Sequence, residues 1–331
     1  MKKILNIIII FLPWAIRRRL LNIFYHYKIH PKAKIGLSYI YPKHLIMEEG
    51  AYIGHLNVAI HLELIHMGKD CTISQKNWIT GFPIADKSNF QDFPNRKPYL
   101  IMGKDSAITK QHLIDCTDTV TIGELTSIGG YGTQILSHST SLQHNKQSCA
   151  PITIGHHCFI GTRSIILPGS ILPNQAVLGA GAVLKKQFTE GAYIGHLNVA
   201  IHLELIHMGK DCTISQKNWI TGFPIADKSN FQDFPNRKPY LIMGKDSAIT
   251  KQHLIDCTDT VTIGELTSIG GYGTQILSHS TSLQHNKQSC APITIGHHCF
   301  IGTRSIILPG SILPNQAVLG AGAVLKKQFT E

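Results

Sequence analysis

Imidazole is the reactive group that this sequence supplies most freely: its 331 residues hold 19 histidines, against 8 cysteines and 20 carboxylates. A histidine ring titrates near neutral pH, so it can take a proton from a hydroxyl and return it within one reaction cycle. The other familiar chemistries find less material. The cysteines form no CxxC pair, and a chain this long with so few is no disulfide scaffold, so reduced thiols are expected. There is no Walker-type phosphate loop and no GxGxxG in a strand–helix setting, which leaves nucleotide hydrolysis and redox chemistry without support.

Most of these groups occur twice. Residues 50–190 recur without change as 191–331, at an offset of 141. Identity at every position, silent surface positions included, means recent duplication, deliberate joining or an error in gene assembly. Charge is unevenly placed: residues 1–49 carry +7 of the net +11, and each copy carries +2. Repeats so close to neutral argue against a nucleic-acid surface on them.

The elements that must position the histidines announce themselves by a six-residue beat. Aliphatic residues stand at Ile154, Ile160, Ile166, Leu172, Leu178 and Leu184, and a small residue follows four places after each of the first five: Cys158, Ser164, Ser170, Ala176 and Ala182. Neither a helix nor a hairpin strand has that period. A parallel β-helix does: each hexapeptide is one short side of a coil, the aliphatic points inward, and the small residue fits a tight corner. Shorter phrases keep the beat upstream at Met67, Ile73 and Ile79, at Met102, Ile108 and Ile114, and at Ile122 and Ile128. Two interruptions, Gly81–Leu100 and Ser137–Pro151, read as loops thrown out of the coil, where function usually sits on a rigid scaffold.

The N-terminal segment is different in kind. Lys2 and Lys3 precede the largely apolar run Ile4–Ile16, and Arg17, Arg18 and Arg19 follow it. The run is shorter than the about 20 residues that a bilayer span needs, and arginines stand where a signal peptide would have its small-residue cleavage site. Basic flanks with Trp14 at the edge suit a short helical segment lying on an anionic membrane surface. The alternative is a helix that packs on the rest of the protein. The chain thus reads as 1–49, an amphipathic segment with the first coil, then one β-helix unit at 50–190 and its copy at 191–331. Peripheral contact through residues 1–28 would place the protein in the cytoplasm, at the inner face of the membrane.

The phrase Ile154-Gly155-His156-His157-Cys158-Phe159-Ile160-Gly161-Thr162-Arg163, continued by Gly179-Ala180-Gly181, resembles the hexapeptide-repeat acyltransferases. The likeness is to the branch that acetylates sugars in capsule, exopolysaccharide or lipopolysaccharide synthesis, and the Leu-Pro-Trp…Arg-Arg run and residues 29–36 are similar to that branch too. The resemblance implies an all-β fold, a left-handed parallel β-helix, assembled as a homotrimer with active sites between subunits. It implies acetyl-CoA as donor, a sugar or glycan hydroxyl as acceptor, and no metal. The catalytic residue in such enzymes is a His in a loop just upstream of a Pro-Ile/Val-x-Ile-Gly phrase. Here that phrase is Pro151–Gly155, so His138 is the implied general base, and His279 in the second copy.

The remaining site residues follow from the same likeness. Asp115 and Asp256 are placed to contact acceptor hydroxyls, with corner capping as the alternative. For the donor, Gly161, Ala180 and Gly181, with Gly302, Ala321 and Gly322, would let pantetheine approach the backbone. Lys185, Lys186, Lys326 and Lys327 would meet the coenzyme A phosphates. His144, His156 and His157 fall at loop or corner positions that suit solvated rings. Two competing readings stay open. Some hexapeptide β-helices of the carbonic anhydrase type bind zinc through histidines, and His112, His138 and His144 could supply three imidazoles. The other is a catalytically silent scaffold lengthened by duplication. At the join the beat slips, from Leu184 to Phe188 and then Ile194.

Overall fold

Aliphatic side chains six apart can share one interior only if the chain completes a side of a coil in that interval. The structure, a computed structural model, has that form. It describes residues 2–85, 90–141, 146–184, 193–225, 231–282 and 287–326, in two units that divide between Asn174 and Gln175. In the first unit, strands fall on three faces, each a parallel ladder. One ladder runs through Lys28–Ile29, His44–Met47, Leu64–Met67, Tyr99–Met102, Val120–Ile122, Ile152–Ile154 and Ile171–Leu172. The registers put like on like: Ile122 faces Ile154, Ile128 faces Ile160, and Ile135 faces Ile166.

Packing follows the beat. All the aliphatics named in it, from Met67 to Leu184, are at most 1% exposed, so they form the core. Each such side chain stabilises the coil by roughly 1.5–3 kcal/mol relative to exposure. The small residues fill corners, as expected: the Ser164 hydroxyl donates to the Gly161 carbonyl at 2.9 Å, and that of Ser170 to the Leu167 carbonyl at 2.7 Å. Corners also explain the backbone. Residues 157, 163, 169, 175 and 181 all take positive φ, between 54° and 74°, and glycine supplies it without strain at 169 and 181. All eight cysteines are buried and none is in a disulfide, with Cys71 and Cys158 at small-residue positions.

The second unit repeats this build through Leu205–Met208, Tyr240–Met243, Val261–Ile263, Ile293–Ile295 and Ile312–Leu313 on one face. It also contains the last two sides of the first copy. Leu178 faces Ile194 and Leu184 faces Ala200, so partners there are sixteen residues apart instead of the eighteen of three full sides. The shortened beat at the join is thus accommodated inside a paired ladder; Phe188 itself lies outside the described residues.

The N-terminal run forms two helices, α1 (Lys2–Ile10) and α2 (Trp14–Phe24), separated at Pro13. The arginine triplet is not a uniform flank. Arg17 is buried, and its guanidinium donates to the carbonyls of Gly36 at 2.8 Å and Ser38 at 2.9 Å, fastening α2 to the first coil. Ile7, Ile8, Phe11, Ile16 and Ile23 remain between 51% and 73% exposed. No helix among the described residues is long and apolar enough to cross a membrane.

Candidate active site

Both loops thrown out of the coil meet at His138. The second begins as a short antiparallel hairpin in which His138 pairs with Cys149, and it leaves the coil directly after the strand Gln134–Leu136. That strand lies beside Leu113–Asp115, with Leu136 facing Asp115. A parallel ladder brings residues about one coil apart into register, so the carboxylate of Asp115 arrives under the root of the hairpin. His138 Nδ1 lies 2.7 Å from Asp115 Oδ2.

Every other contact of that carboxylate is also a donor. The Ser137 and His138 N–H groups reach Oδ2 at 2.9 and 3.0 Å, and the Ser137 hydroxyl at 3.1 Å. The Thr117 hydroxyl and N–H reach Oδ1 at 2.6 and 3.2 Å. Burial alone would raise the Asp115 pKa, but the bonds from His138, Thr117 and Ser137 outweigh it and the net shift is downward. An ionised carboxylate only accepts, so Nδ1 carries the proton and the Nε2 lone pair is left for a substrate. The His138 pKa moves up from 6.5, chiefly through the Asp115 hydrogen bond, against the opposing effect of burial. The side chain is 29% exposed.

Asp115, expected at the acceptor, is 3% exposed, and its oxygens hold the histidine and its neighbours. Asp256 stands likewise against His279 at 2.7 Å, with the Thr258 hydroxyl at 2.6 Å. In each copy the hydrogen bond to the aspartate is the largest cause of the upward shift of the histidine pKa.

The first loop supplies residues that sequence reasoning missed. Phe82 and Phe90 meet the His138 ring edge-on at centroid distances of 5.5 and 6.2 Å. The Arg96 guanidinium lies over Phe90 at 4.9 Å and donates to the carbonyls of Phe82 and Pro83, each at 2.5 Å. Phe223, Phe231 and Arg237 repeat the arrangement around His279. The available signal was a single one, a long loop interrupting a rigid repeat. Burial pushes the Cys149 thiol up to about 11.

The other histidines separate cleanly. His112 is buried in a corner ladder, its Nδ1 accepting from the Thr133 N–H at 3.1 Å and its Nε2 meeting the Thr109 hydroxyl at 2.9 Å. Burial depresses its pKa to about 4. With both nitrogens engaged it does not share an open metal site with His138, and His144 lies outside the described residues. Among the described residues no three His, Cys, Asp or Glu groups are placed to hold a metal ion. His156 and His157 are exposed at a corner.

The expected donor residues also divide. Gly161 and Gly302 are buried, and a Cβ on Gly302 would come within 2.5 Å of the Ala321 nitrogen, so Gly302 lets two coils approach. Ala180 is held by the second copy, its N–H donating to His196 Nδ1 at 3.0 Å, and a Cβ on Gly181 would meet the Leu197 side chain at 2.5 Å. Their counterparts are open: no described atom lies within 4 Å of a Cβ built on Gly322. Ala321 and Lys326 are exposed, whereas Lys185, Lys186 and Lys327 lie outside the described residues.

Residues 151–186 and 292–327 match the hexapeptide repeat of succinyl-transferase. The chain is 27% identical over 125 residues to YvoF, a presumed acetyltransferase of Bacillus subtilis (strain 168). That match spans 37% of this chain and 63% of the relative. Two solved structures are similar at low TM-scores that carry no argument. One is LpxA, a UDP-N-acetylglucosamine acyltransferase from Bacteroides fragilis 9343, with TM-score 0.21, 12% identity, and 88% of this chain and 68% of that one covered. The other is the Francisella novicida UDP-N-acetylglucosamine acyltransferase, with TM-score 0.15, 13% identity, and 91% and 67% covered.

Proposed function

We propose that this chain, which carries the hexapeptide repeat of the acyltransferases in both copies, transfers acetyl from acetyl-CoA to a sugar hydroxyl, with His138 and His279 as general bases. The observation that carries the reading is the pairing of each histidine with a buried aspartate, at 2.7 Å in both copies. An Nε2 lone pair held outward by an Asp–Nδ1 bond accepts the hydroxyl proton as the oxygen attacks the thioester carbonyl. The imidazolium then returns the proton to the departing thiolate. The sugar acceptor, its place in surface polysaccharide synthesis and a trimeric assembly rest on the sequence likeness. Thiol release from acetyl-CoA against a panel of sugars and lipid-linked glycans tests the assignment. Release that no acceptor stimulates would count against it.

The donor end is expected to weight the two copies unequally. Among the described residues nothing covers Gly322, and Ala321 is exposed, whereas Ala180 and Gly181 are covered. His279→Ala should therefore lower acetyl transfer more than His138→Ala, with both variants assayed side by side at saturating acetyl-CoA. The reverse order would show that donor access at this end does not limit the first copy.

The exposed apolar side chains of α1 and α2, beside Arg18 and Arg19, support contact with an anionic membrane surface. Because Arg17 and Leu21 anchor α2, point changes test this more cleanly than deletion of residues 1–28. Ile8→Ser, Phe11→Ser and Ile16→Ser together should abolish sedimentation with anionic vesicles and leave the fold intact. Undiminished sedimentation would return these helices to a packing role.

A further inference from the structure

We propose that a cavity at the N-terminal end of the first unit is a glycan subsite, which holds the sugar residues next to the one acetylated at His138. The proposal rests on the sugar-acceptor reading and deepens it. The cavity has a volume of about 580 Å³, within the about 300–1,000 Å³ usual for small-molecule sites. Part of its lining is an aromatic wall of Tyr25, Tyr27 and Tyr41, whose rings stand 5.4 to 5.5 Å from one another through Tyr25. The three hydroxyls are committed: Tyr27 donates to the Pro42 carbonyl at 2.6 Å, Tyr41 to the Asn6 carbonyl at 2.7 Å, and Tyr25 to the Asn6 side chain. The wall is thereby fixed; Tyr27 is buried behind it, and Tyr25 and Tyr41, both half-buried, offer a ligand ring surface.

The remaining lining mixes apolar residues, Phe24, Leu62 and two prolines, with polar groups of both signs. It includes the exposed His44 and His61, and the ion pair of Lys43 with Glu63 at 2.9 Å. Imidazole can donate and accept, ammonium donates, and carboxylate accepts. A sugar ring suits such a set, because its hydroxyls do both and its C–H face lies against an aromatic ring. A phosphate would instead face Glu63.

Position ties the cavity to the base. Pro83 lines the cavity, and the preceding Phe82 packs edge-on against His138 at 5.5 Å. Arg96 holds the carbonyls of both residues. The chain turns at Tyr41–His44 and His61–Glu63 also occupy the same coil corner as Asp115–Thr119. The ladder from Leu64–Met67 through Tyr99–Met102 to Val120–Ile122 separates the last two turns by two steps, or about 10 Å at the usual strand spacing. A short oligosaccharide covers that distance.

The second copy has no counterpart of Tyr25, Tyr27, Tyr41, Lys43 or His44, because residues 1–49 occur once. Preference for an extended acceptor therefore belongs to His138 alone. The experiment takes the monosaccharide that accepts acetyl best, together with its disaccharide and trisaccharide, and uses the full chain. In the His279→Ala protein, kcat/KM should rise about tenfold from monosaccharide to trisaccharide, through KM. His44→Ala with His61→Ala, both at exposed positions that the fold does not need, should erase that rise. The His138→Ala protein should show no rise. Saturation-transfer NMR with the trisaccharide should show binding that the His44→Ala, His61→Ala pair removes. A rise that survives the pair, or that appears in the His138→Ala protein, overturns the subsite while the sugar-acceptor reading stands. If sugars of every length fail to accept acetyl, the acceptor reading itself falls, and trisaccharide binding insensitive to the pair then removes the subsite as well.

Discussion

Replacing His138 and His279 together by alanine lowers acetyl-transfer turnover by about 10²–10⁴-fold, the usual contribution of a positioned general base. Coenzyme A binding should persist, because neither ring is among the groups expected to meet the donor. Both positions must change, since the two dyads match in partner, distance and aromatic surround. The alanine variants should also fold. His138 stands on a hairpin outside the coil, and its removal takes nothing from the buried aliphatic columns. Equilibrium binding of coenzyme A and steady-state turnover, measured on one preparation, separate a lost base from a lost donor site. Full activity in the double variant would remove the imidazoles from the chemistry.

The second large effect belongs to the aspartates. Asp115→Asn with Asp256→Asn should cost about 10–10³ in turnover, because an amide can donate to Nδ1 and favour the tautomer that protonates Nε2. The pH dependence gives a readout that mere loosening would not. A base works when deprotonated, so the rate climbs as pH rises through the pKa of the histidine. In the native protein that pKa lies above 6.5, raised first by the hydrogen bond to aspartate. Without the carboxylate, burial is the surviving influence, and it lowers the pKa. The acid limb of the rate profile should therefore move to lower pH in the asparagine variant, even as the plateau falls. An acid limb that stays where it is in the native protein would show that the aspartates do not set the basicity of the rings.

The hexapeptide beat was legible because one force, burial of an aliphatic every six residues, acts at every rung and leaves a period in the sequence. The corner residues were legible for the same reason. His138 could be reached through a phrase, Pro151–Gly155, that the family likeness attaches to a preceding loop. Asp115 was visible, but its role was not: the contact joins residues 23 positions apart across two strands, and only the ladder register reveals it. Phe82, Phe90 and Arg96 sit in a loop with no period, where nothing in composition says which rings fold back. A glycine that lets two coils approach and one that lets a ligand approach have the same sequence signature. Gly302 is the first kind, and Gly322 is open. Arg17 shows the converse, a residue read as a membrane flank that is spent inside as a clamp.

The central claim is that the paired imidazoles move acetyl from a thioester to a sugar oxygen. Its most direct test follows label from acetyl-labelled acetyl-CoA into the recovered acceptor, with thiol release measured in the same reaction. The account predicts one ester-linked acetyl on a sugar hydroxyl for each thiol released, in the native protein and not in the His138→Ala, His279→Ala variant. Label that never reaches the acceptor, or reaches it equally in the variant, would contradict it.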